Sequence, residues 1–507
     1  MPDVDPLTKR NVSSTSGDLA RQSVHGFLWT TLAWGSNRLV ILGLTLLLAR
    51  LLTPEDFGVV TAAVTIIAML DAALDLGVGA AVVAGQEKGV SRKTRTAMTL
   101  NIAISVIVCA AGVAASPWIA ELFGARSQAG VFALIFMYPL FRGAAQVNDA
   151  VLKRDLLFRR RTLVDLTRAA VRVSISIPLA LTVGGAVSIA AGIVAGEFVA
   201  MVLLWVLVPI SPLLRIKRTV MSELLHFGGQ VTLIRILGSI RASVDYLIVG
   251  SLISTAALGF YGMAYKLPEL LIENVLWIFT AVALAAYSRA HAISHDLLIA
   301  SMLRATRILS IYGLAVGTAL AVVAQDVVPV LFSQQWTPAI VPMMLISLSL
   351  GIMSIPWASG DVFSAKGQPG ILVRLDLPAT VVMIGALLYA SRYGLVGVAG
   401  ALLVFNVVYC VARLMLVRRV TCVSSRSLFD AIAPGMAIAA ATAATGFLVR
   451  SLLPSGQVLS LVILSLVCVA TVIGASFVFA RTAIVELVAL VRSPRQGNPL
   501  VAEPSAS

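Results

Sequence analysis

The chain alternates between long apolar runs and short polar connections. Runs of roughly 20 residues recur about fourteen times, each long enough as a helix to cross a hydrocarbon core about 30 Å thick. They fall near residues 26–48, 57–80, 97–116, 129–147, 169–185, 187–209, 227–250, 260–286, 301–323, 327–352, 371–390, 395–417, 431–449 and 458–480. In lipid every backbone N–H and C=O needs a partner within the protein, and a helix supplies those partners inside one segment. The expected fold is therefore an all-α polytopic membrane protein.

The connections carry a pattern of their own. The second holds Glu87, Lys88, Arg92, Lys93 and Arg95, the fourth Lys153, Arg154, Arg159, Arg160, Arg161 and Arg168, and the sixth Arg215, Lys217 and Arg218. Between them, the third holds only Glu121 and Arg126, and the fifth, around Gly184 and Gly185, has no charge. Short cytoplasmic loops are enriched in Lys and Arg, so both termini are expected in the cytoplasm. The run that begins near residue 26 is too long for a signal-peptide core and has no evident cleavage site, so it is expected to stay as the first span.

The chain also repeats itself. Residues 49–58 (ARLLTPEDFG) lie opposite 250–259 (GSLISTAALG), Leu122-Phe123-Gly124 opposite Leu331-Phe332-Ser333, and Asp165-Leu166 opposite Asp376-Leu377. The matches occur in order at nearly constant spacing. They predict a six-span lobe at 25–215, a second at 216–420 and a helix pair at 421–482, with tails at 1–24 and 483–507. Six is an even number, so both lobes enter from the same side and are related by a pseudo-two-fold axis along the membrane normal. Repeats of this kind commonly place a substrate cavity between their two halves.

Composition removes several classes of function. With 59% hydrophobic and 12% charged residues over 507 positions, a soluble protein is excluded. A net charge of +14 would suit nucleic acid, but the basic residues sit at span ends and form no continuous stripe. Cys109, Cys410, Cys422 and Cys468 contain no CxxC pair, and His25, His226, His291 and His295 share no metal-ligand spacing. No phosphate-binding glycine loop is present, so neither a metal nor another cofactor is implied.

Charges inside the apolar runs suggest the chemistry. Arg38, Asp71, Asp75, Arg142, Glu197, Arg235, Arg241, Asp245, Lys266, Glu269 and Glu273 all lie within expected spans. Each costs roughly 2.5–3.5 kcal/mol at a helix centre, so each needs a partner or a polar cavity. Asp71 and Asp75 share a helical face, as do Lys266, Glu269 and Glu273, and Arg241 and Asp245 are spaced to pair along one helix. Arg38, Arg142, Arg235, Arg241 and Lys266 are read as the lining of a cavity for an anion, since guanidinium forks suit phosphate. Asp71, Asp75, Asp245 and Glu273 are candidates for a coupling proton or sodium ion. Glu197, alone in its span, reads as structural.

Four segments, ARLLTPEDFGVV (49–60), AVLKRDLLFRRRTLVDL (150–166), LGFYGMAYKLPEL (258–270) and LFSQQWTPAIVPMMLIS (331–347), resemble those of bacterial polysaccharide flippases. The resemblance is to Wzx-type translocases of the multidrug/oligosaccharidyl-lipid/polysaccharide exporter superfamily and runs over about 20–420. It implies a V-shaped pair of six-helix lobes in the inner membrane and no enzymatic activity. It further implies an undecaprenyl-diphosphate-linked oligosaccharide moved to the periplasmic leaflet by alternating access. Family precedent puts cations near the diphosphate, a role carried to Arg38, Arg235, Arg241 and Lys266, with Arg142 added on the charge reading. The implied partners are that lipid-linked substrate, membrane lipids and, as candidates, a polysaccharide polymerase and other polymer-assembly proteins; nucleic acid is not among them. The alternatives are a lipid-linked peptidoglycan-precursor flippase, a multidrug–cation antiporter and, in a different class, a polytopic glycosyltransferase.

Overall fold

Backbone groups that cannot reach water close on themselves here as helices. The computed structural model describes residues 35, 37–74, 92–155, 157–210, 212, 238–368, 370–454 and 456–480, and no strand occurs among them. In chain order α1 covers 37–51, α2 Pro54–Leu74, α3 Arg92–Leu122, α4 Ala129–Ile135, α5 Tyr138–Arg154, α6 Phe158–Thr182 and α7 Gly185–Leu207. There follow α8 over 238–252, α9 Thr255–Pro268, α10 Asn274–Ile293, α11 His295–Val327, α12 Ile340–Met353 and α13 Ala358–Ala365. The last are α14 Gly370–Ala390, α15 Gly394–Thr421, α16 Ser425–Arg450 and α17 Val458–Phe479.

Nine segments among the described residues are long and apolar enough to cross a membrane, and four of them, Arg126–Arg154, Thr255–Ile293, Gln334–Ala365 and Gly370–Thr421, each contain two helices. The chain is a multi-pass helical membrane protein. Several helices outrun the apolar stretches that announce them. α6 begins at Phe158, so Arg159, Arg160 and Arg161 form its first turn and not a loop. One expected boundary is misplaced: residues 327–332 continue α11 through a π turn at Val328–Phe332. The chain then reverses at Ser333, and the expected span 327–352 has its helical start only at Gln334. The apolar sequence from Val327 to Phe332 conceals that break because its only polar punctuation, Ser333-Gln334-Gln335, comes afterwards.

The chain divides into two compact units. The first takes the described residues up to Leu51, Ile66–Glu121 and Arg126–Ile240, and the second takes Leu52–Thr65, Leu122–Ala125 and the described residues from Arg241 onward. In the first unit, Met98, Val147, Val151, Leu152, Val164 and Leu204 form a core shared by α3, α5, α6 and α7. Gly192 and Gly196 bring α7 against α6: a Cβ on either would come within 2.9 Å of a carbonyl oxygen, of Arg172 or Arg168 respectively. Small residues permit such close backbone approach where lipid offers no hydrophobic drive for helices to associate.

In the second unit the start of α2 crosses α9. Thr53 caps α2 by a reciprocal pair with Asp56, and Ser254 caps α9 by accepting from the Ala257 N–H at 3.0 Å. Side chains on Gly58 and Gly259 would strike the Thr255 and Pro54 carbonyls, so each glycine faces the first residue of the other helix. Thr255 donates to the Phe123 carbonyl at 2.5 Å and Gln335 to the Leu52 carbonyl at 3.0 Å. Trp336 is buried edge-on against Phe57 and Phe260. A positive φ ends the paired segments at Gly124 (66°) and Ser333 (124°) alike.

The last two helices are clamped onto α11. Fully buried Asp326 accepts from the Arg450 guanidinium and, at 2.6 Å, from the Gly456 N–H. Removing one member of a buried ion pair typically costs about 3–5 kcal/mol, because the other charge is left uncompensated. Arg450→Ala is therefore expected to lower the unfolding midpoint of the purified protein sharply. Adding Asp326→Asn is expected to recover part of the loss, and thermal unfolding of both variants in detergent checks this.

Candidate functional site

Polar side chains in each unit gather around a small number of carboxylates. In the first unit the centre is Glu197 on α7, only 1% exposed. The close α6–α7 packing described above brings Arg168 Nε to 2.8 Å from Glu197, and Arg142 on α5 lies 3.5 Å from its other oxygen. Arg168 also reaches Asp165 at 2.7 Å. Asp71 on α2 and Tyr138 on α5 lie close enough to interact electrostatically with Arg142 and Glu197. One helical turn beyond Arg168, Arg172 has its Nε buried without a hydrogen-bond partner. Toward the start of α6, Asp149 binds Lys153 at 2.7 Å and Arg161 at 2.9 Å.

In the second unit the centre is Tyr409 on α15. Its ring carries the Arg241 guanidinium at 4.4 Å from the centroid, a favourable cation–π distance. Its hydroxyl donates to Asp376 on α14 at 2.5 Å, and Arg241 reaches the same carboxylate at 3.0 Å. Arg413, one turn further along α15, donates to the Tyr409 hydroxyl at 3.4 Å and to Ser359 Oγ on α13 at 2.9 Å. Two guanidinium groups thus converge on Tyr409, with Asp376 paired to Arg241, whose side chain remains 23% exposed. A separate cavity of about 370 Å³ at the ends of α8 and α9 is lined by Glu55, Phe123, Gly124, Ser251, Ser254 and Thr255. Its one charged lining group is acidic, which does not suit an anion.

The expected site residues are distributed as follows. Arg142 joins Asp71 in the first unit, and Arg38 sits half-buried on α1. Arg241, Asp245, Lys266 and Glu273 are in the second unit; Arg235 and Asp75 lie outside the described residues. Arg241 and Asp245 do not pair along α8. Arg241 turns to Asp376, and Asp245 Oδ2 accepts from the hydroxyls of Tyr261 at 2.9 Å and Tyr265 at 3.2 Å, both on α9, while its buried Oδ1 has no hydrogen-bond partner. Two phenols compensate one oxygen of this buried carboxylate without placing a second charge in the apolar core. Lys266, 45% exposed, stands 4.0 Å from Glu269, and Glu273 accepts from Trp277 at 3.4 Å.

Glu197, expected to be structural, is the carboxylate that holds Arg142 and Arg168. Arg172, Asp361, Asp376, Tyr409 and Arg413 are not among the site residues expected from the sequence, Asp376 entering there only as part of a repeat match. The signal for three was present: Arg172, Asp376 and Arg413 lie inside expected spans 169–185, 371–390 and 395–417. Asp361 lies past the end of span 327–352, and Tyr409 becomes recognisable only through its neighbours.

This is the architecture of a polytopic helical membrane protein. The chain superposes on Lipid II flippase MurJ in an inward closed conformation with a TM-score of 0.72, at 12% identity, over 90% of this chain and 100% of that one. An inward-facing multidrug resistance MATE family transporter of the MOP superfamily matches with a TM-score of 0.65, at 17% identity, over 76% and 94% of the respective chains. Residues 47–341, more than half of the chain, match the model of the polysaccharide biosynthesis protein family, and the chain belongs to that family. Among characterised relatives, the lipopolysaccharide biosynthesis protein WzxC of Escherichia coli K12 is 21% identical over 406 residues, covering 77% of this chain and 80% of the relative. The teichuronic acid biosynthesis protein TuaB of Bacillus subtilis 168 is 21% identical over 379 residues, covering 74% and 77%.

Glu197→Ala would leave two guanidinium groups without their shared acid at the centre of the first unit. The expected loss of stability is roughly 3–5 kcal/mol, with Glu197→Gln milder because its amide oxygen still accepts one hydrogen bond. Unfolding midpoints of the two variants side by side test the ranking.

Proposed function

We propose that this protein translocates an undecaprenyl-diphosphate-linked oligosaccharide across the bacterial inner membrane during polysaccharide biosynthesis, by alternating access with cationic side chains receiving the diphosphate. Membership of the polysaccharide biosynthesis family supports the polymer, and the shared fold with a lipid-linked-precursor flippase supports the lipid carrier. The observation that carries the reading is the pair Arg241 and Arg413 gathered on Tyr409 with Asp376. A charged pair placed only for stability needs one cation for each carboxylate. Here Asp376 pairs with Arg241, while Arg413 donates to the neutral hydroxyls of Tyr409 and Ser359, and a diphosphate could take the donors left over.

Arg142 is the counterpart in the first unit, held in orientation by Glu197. Arg38, Arg235 and Lys266 belong to the proposal on sequence grounds. Positive charge suits a pyrophosphate headgroup and disfavours the organic cations that an antiporter would carry. Both termini on the cytoplasmic side agree with the basic connections.

Arg241→Ala is expected to cut polymer output in a deletion background at least about tenfold, a change of roughly 1.4 kcal/mol, with protein levels in the membrane unchanged. Arg241→Lys keeps the charge but loses the planar fork, and it is expected to fall between wild type and the alanine variant. Uptake of a labelled undecaprenyl-diphosphate oligosaccharide by proteoliposomes is the direct readout. Full transport by an Arg142→Ala/Arg241→Ala double variant would remove the cationic-site reading.

A further inference from the structure

We infer that the cavity at the ends of α8 and α9 is a binding site for a neutral saccharide. Its volume of about 370 Å³ falls within the range of about 300–1,000 Å³ typical of small-molecule sites, and every lining residue belongs to the second unit. The repeat explains why the space is open. Leu52, just past α1, corresponds to Ile253, just past α8, and the turn at Phe332-Ser333 corresponds to the one at Phe123-Gly124. After Ser333 come Gln334, Gln335 and Trp336, and Gln335 donates to the Leu52 carbonyl at 3.0 Å. After Gly124 comes Ala125, and Ile253 borders the cavity. A Cβ on Gly124 would meet nothing within 4 Å. The turn at Gly124 thus leaves open a position that its counterpart covers with a side chain.

The polar lining accepts more hydrogen bonds than it gives. Glu55, exposed in the first turn of α2, presents carboxylate oxygens. Ser251 commits its hydroxyl proton to the Leu247 carbonyl at 2.6 Å, and Thr255 commits its own to the Phe123 carbonyl at 2.5 Å. Both hydroxyl oxygens are left with lone pairs to offer. Ser254 Oγ accepts from the Ala257 N–H, so its own proton stays available. Phe123 and Ile253 add an apolar wall. Such a lining calls for a ligand with several donors along its edge and an apolar face beside them. A saccharide ring has that form, with hydroxyl groups around its rim and C–H groups on its face.

Charge narrows the class. Among the described residues no basic group lines the cavity, and Glu55 would repel a uronate or a phosphorylated sugar. Hydroxyl donors to a carboxylate form charge-assisted hydrogen bonds, which are roughly twice as strong as neutral ones. An organic cation would satisfy Glu55 but leave the lone pairs of Ser251 and Thr255 unmatched. A bare ion would not fill the space, since one water takes only roughly 30 Å³ in the liquid. On the proposed topology this connection faces outward, away from the basic ones. Arg241 lies ten residues back along α8, roughly 15 Å of helix, so the two sites would read separate parts of one substrate, sugar here and diphosphate there. That role rests on the transport reading, whereas the binding of free sugar does not.

The test needs no lipid-linked sugar. The full chain, held in lipid nanodiscs to keep out sugar-headed detergents, is titrated with free neutral hexoses and N-acetylhexosamines. Hexuronic acids and choline serve as comparators, empty nanodiscs as the blank, and saturation-transfer difference NMR reads the contact. At least one neutral sugar is expected to give a saturable signal, with hexuronic acids weaker and choline silent. Glu55→Gln is expected to weaken sugar binding about tenfold. Gly124→Asn, which suits the φ of 66° while adding bulk at the cavity edge, is expected to abolish it. No saturable signal from any neutral sugar would overturn the site, as would a signal unchanged in both variants or choline binding more tightly than every sugar. Glu55 is exposed, so Glu55→Gln is expected to keep the wild-type unfolding midpoint. Should Gly124→Asn fail to fold, the wild-type titration and Glu55→Gln still decide. A failed sugar titration leaves the cationic site intact, and a failed transport assay leaves this binding result standing.

Discussion

An ionisable group among apolar helices must find its compensation inside the protein, and that requirement shapes the second half of the energetics here. Lipid gives two helices little reason to associate, so close packing and polar contacts between helices do the work. Glu197 joins α7 to both α5 and α6, Asp376 joins α14 to α8, and Asp326 joins α11 to α16. Glycines at 192 and 196 allow the approach that makes the first of these contacts short. Charge and close packing are therefore one device: the backbone approach positions the carboxylate, and the carboxylate holds the approach.

The sequence makes the helical class plain because segment length and apolarity answer directly to the thickness of a bilayer. It makes the intramembrane charges plain for the same reason, as Asp71, Arg142, Arg241 and Asp245 illustrate. Partners are another matter. Asp245 and Arg241 are four residues apart and look like a pair, but Tyr261 and Tyr265 from the next helix outcompete the arginine. Glu197 looks solitary because its two cations arrive from helices tens of residues away in sequence. Periodicity reports which face a residue occupies and says nothing about what a neighbouring helix presents to that face. The turn at Ser333 was hidden for a related reason, since an apolar run reads the same on either side of a reversal.

The two halves of the sequence repeat their turns more faithfully than their chemistry. Gly184 and Gly394, both with φ 71°, stand at the starts of α7 and α15. From there Glu197 clasps Arg142 on α5, while Asn406, at almost the same depth in α15, donates to Ser349 on α12 at 2.7 Å. One helix pair, α5 and α7, is thus joined by a charged clasp and another, α12 and α15, by a neutral one. In the second half the charge has moved outward along α15 to Arg413, next to Tyr409 and Asp376.

That difference bears on how an anion could be bound and let go. Carriage across a membrane requires affinity strong enough for entry and weak enough for release. A free guanidinium in a dry interior would hold a diphosphate too firmly, and one locked in a symmetric ion pair would not hold it at all. Arg241 sits between these extremes: Asp376 competes for its donors, Tyr409 supports its face, and part of the side chain stays accessible. On the proposed reading, an arriving diphosphate trades places with an internal carboxylate and meets no bare charge. Because Asp376 also ties α14 to α8, loosening its bond to Arg241 loosens a helix contact. Binding and helix movement would then draw on the same interaction, which is the physical link that alternating access needs.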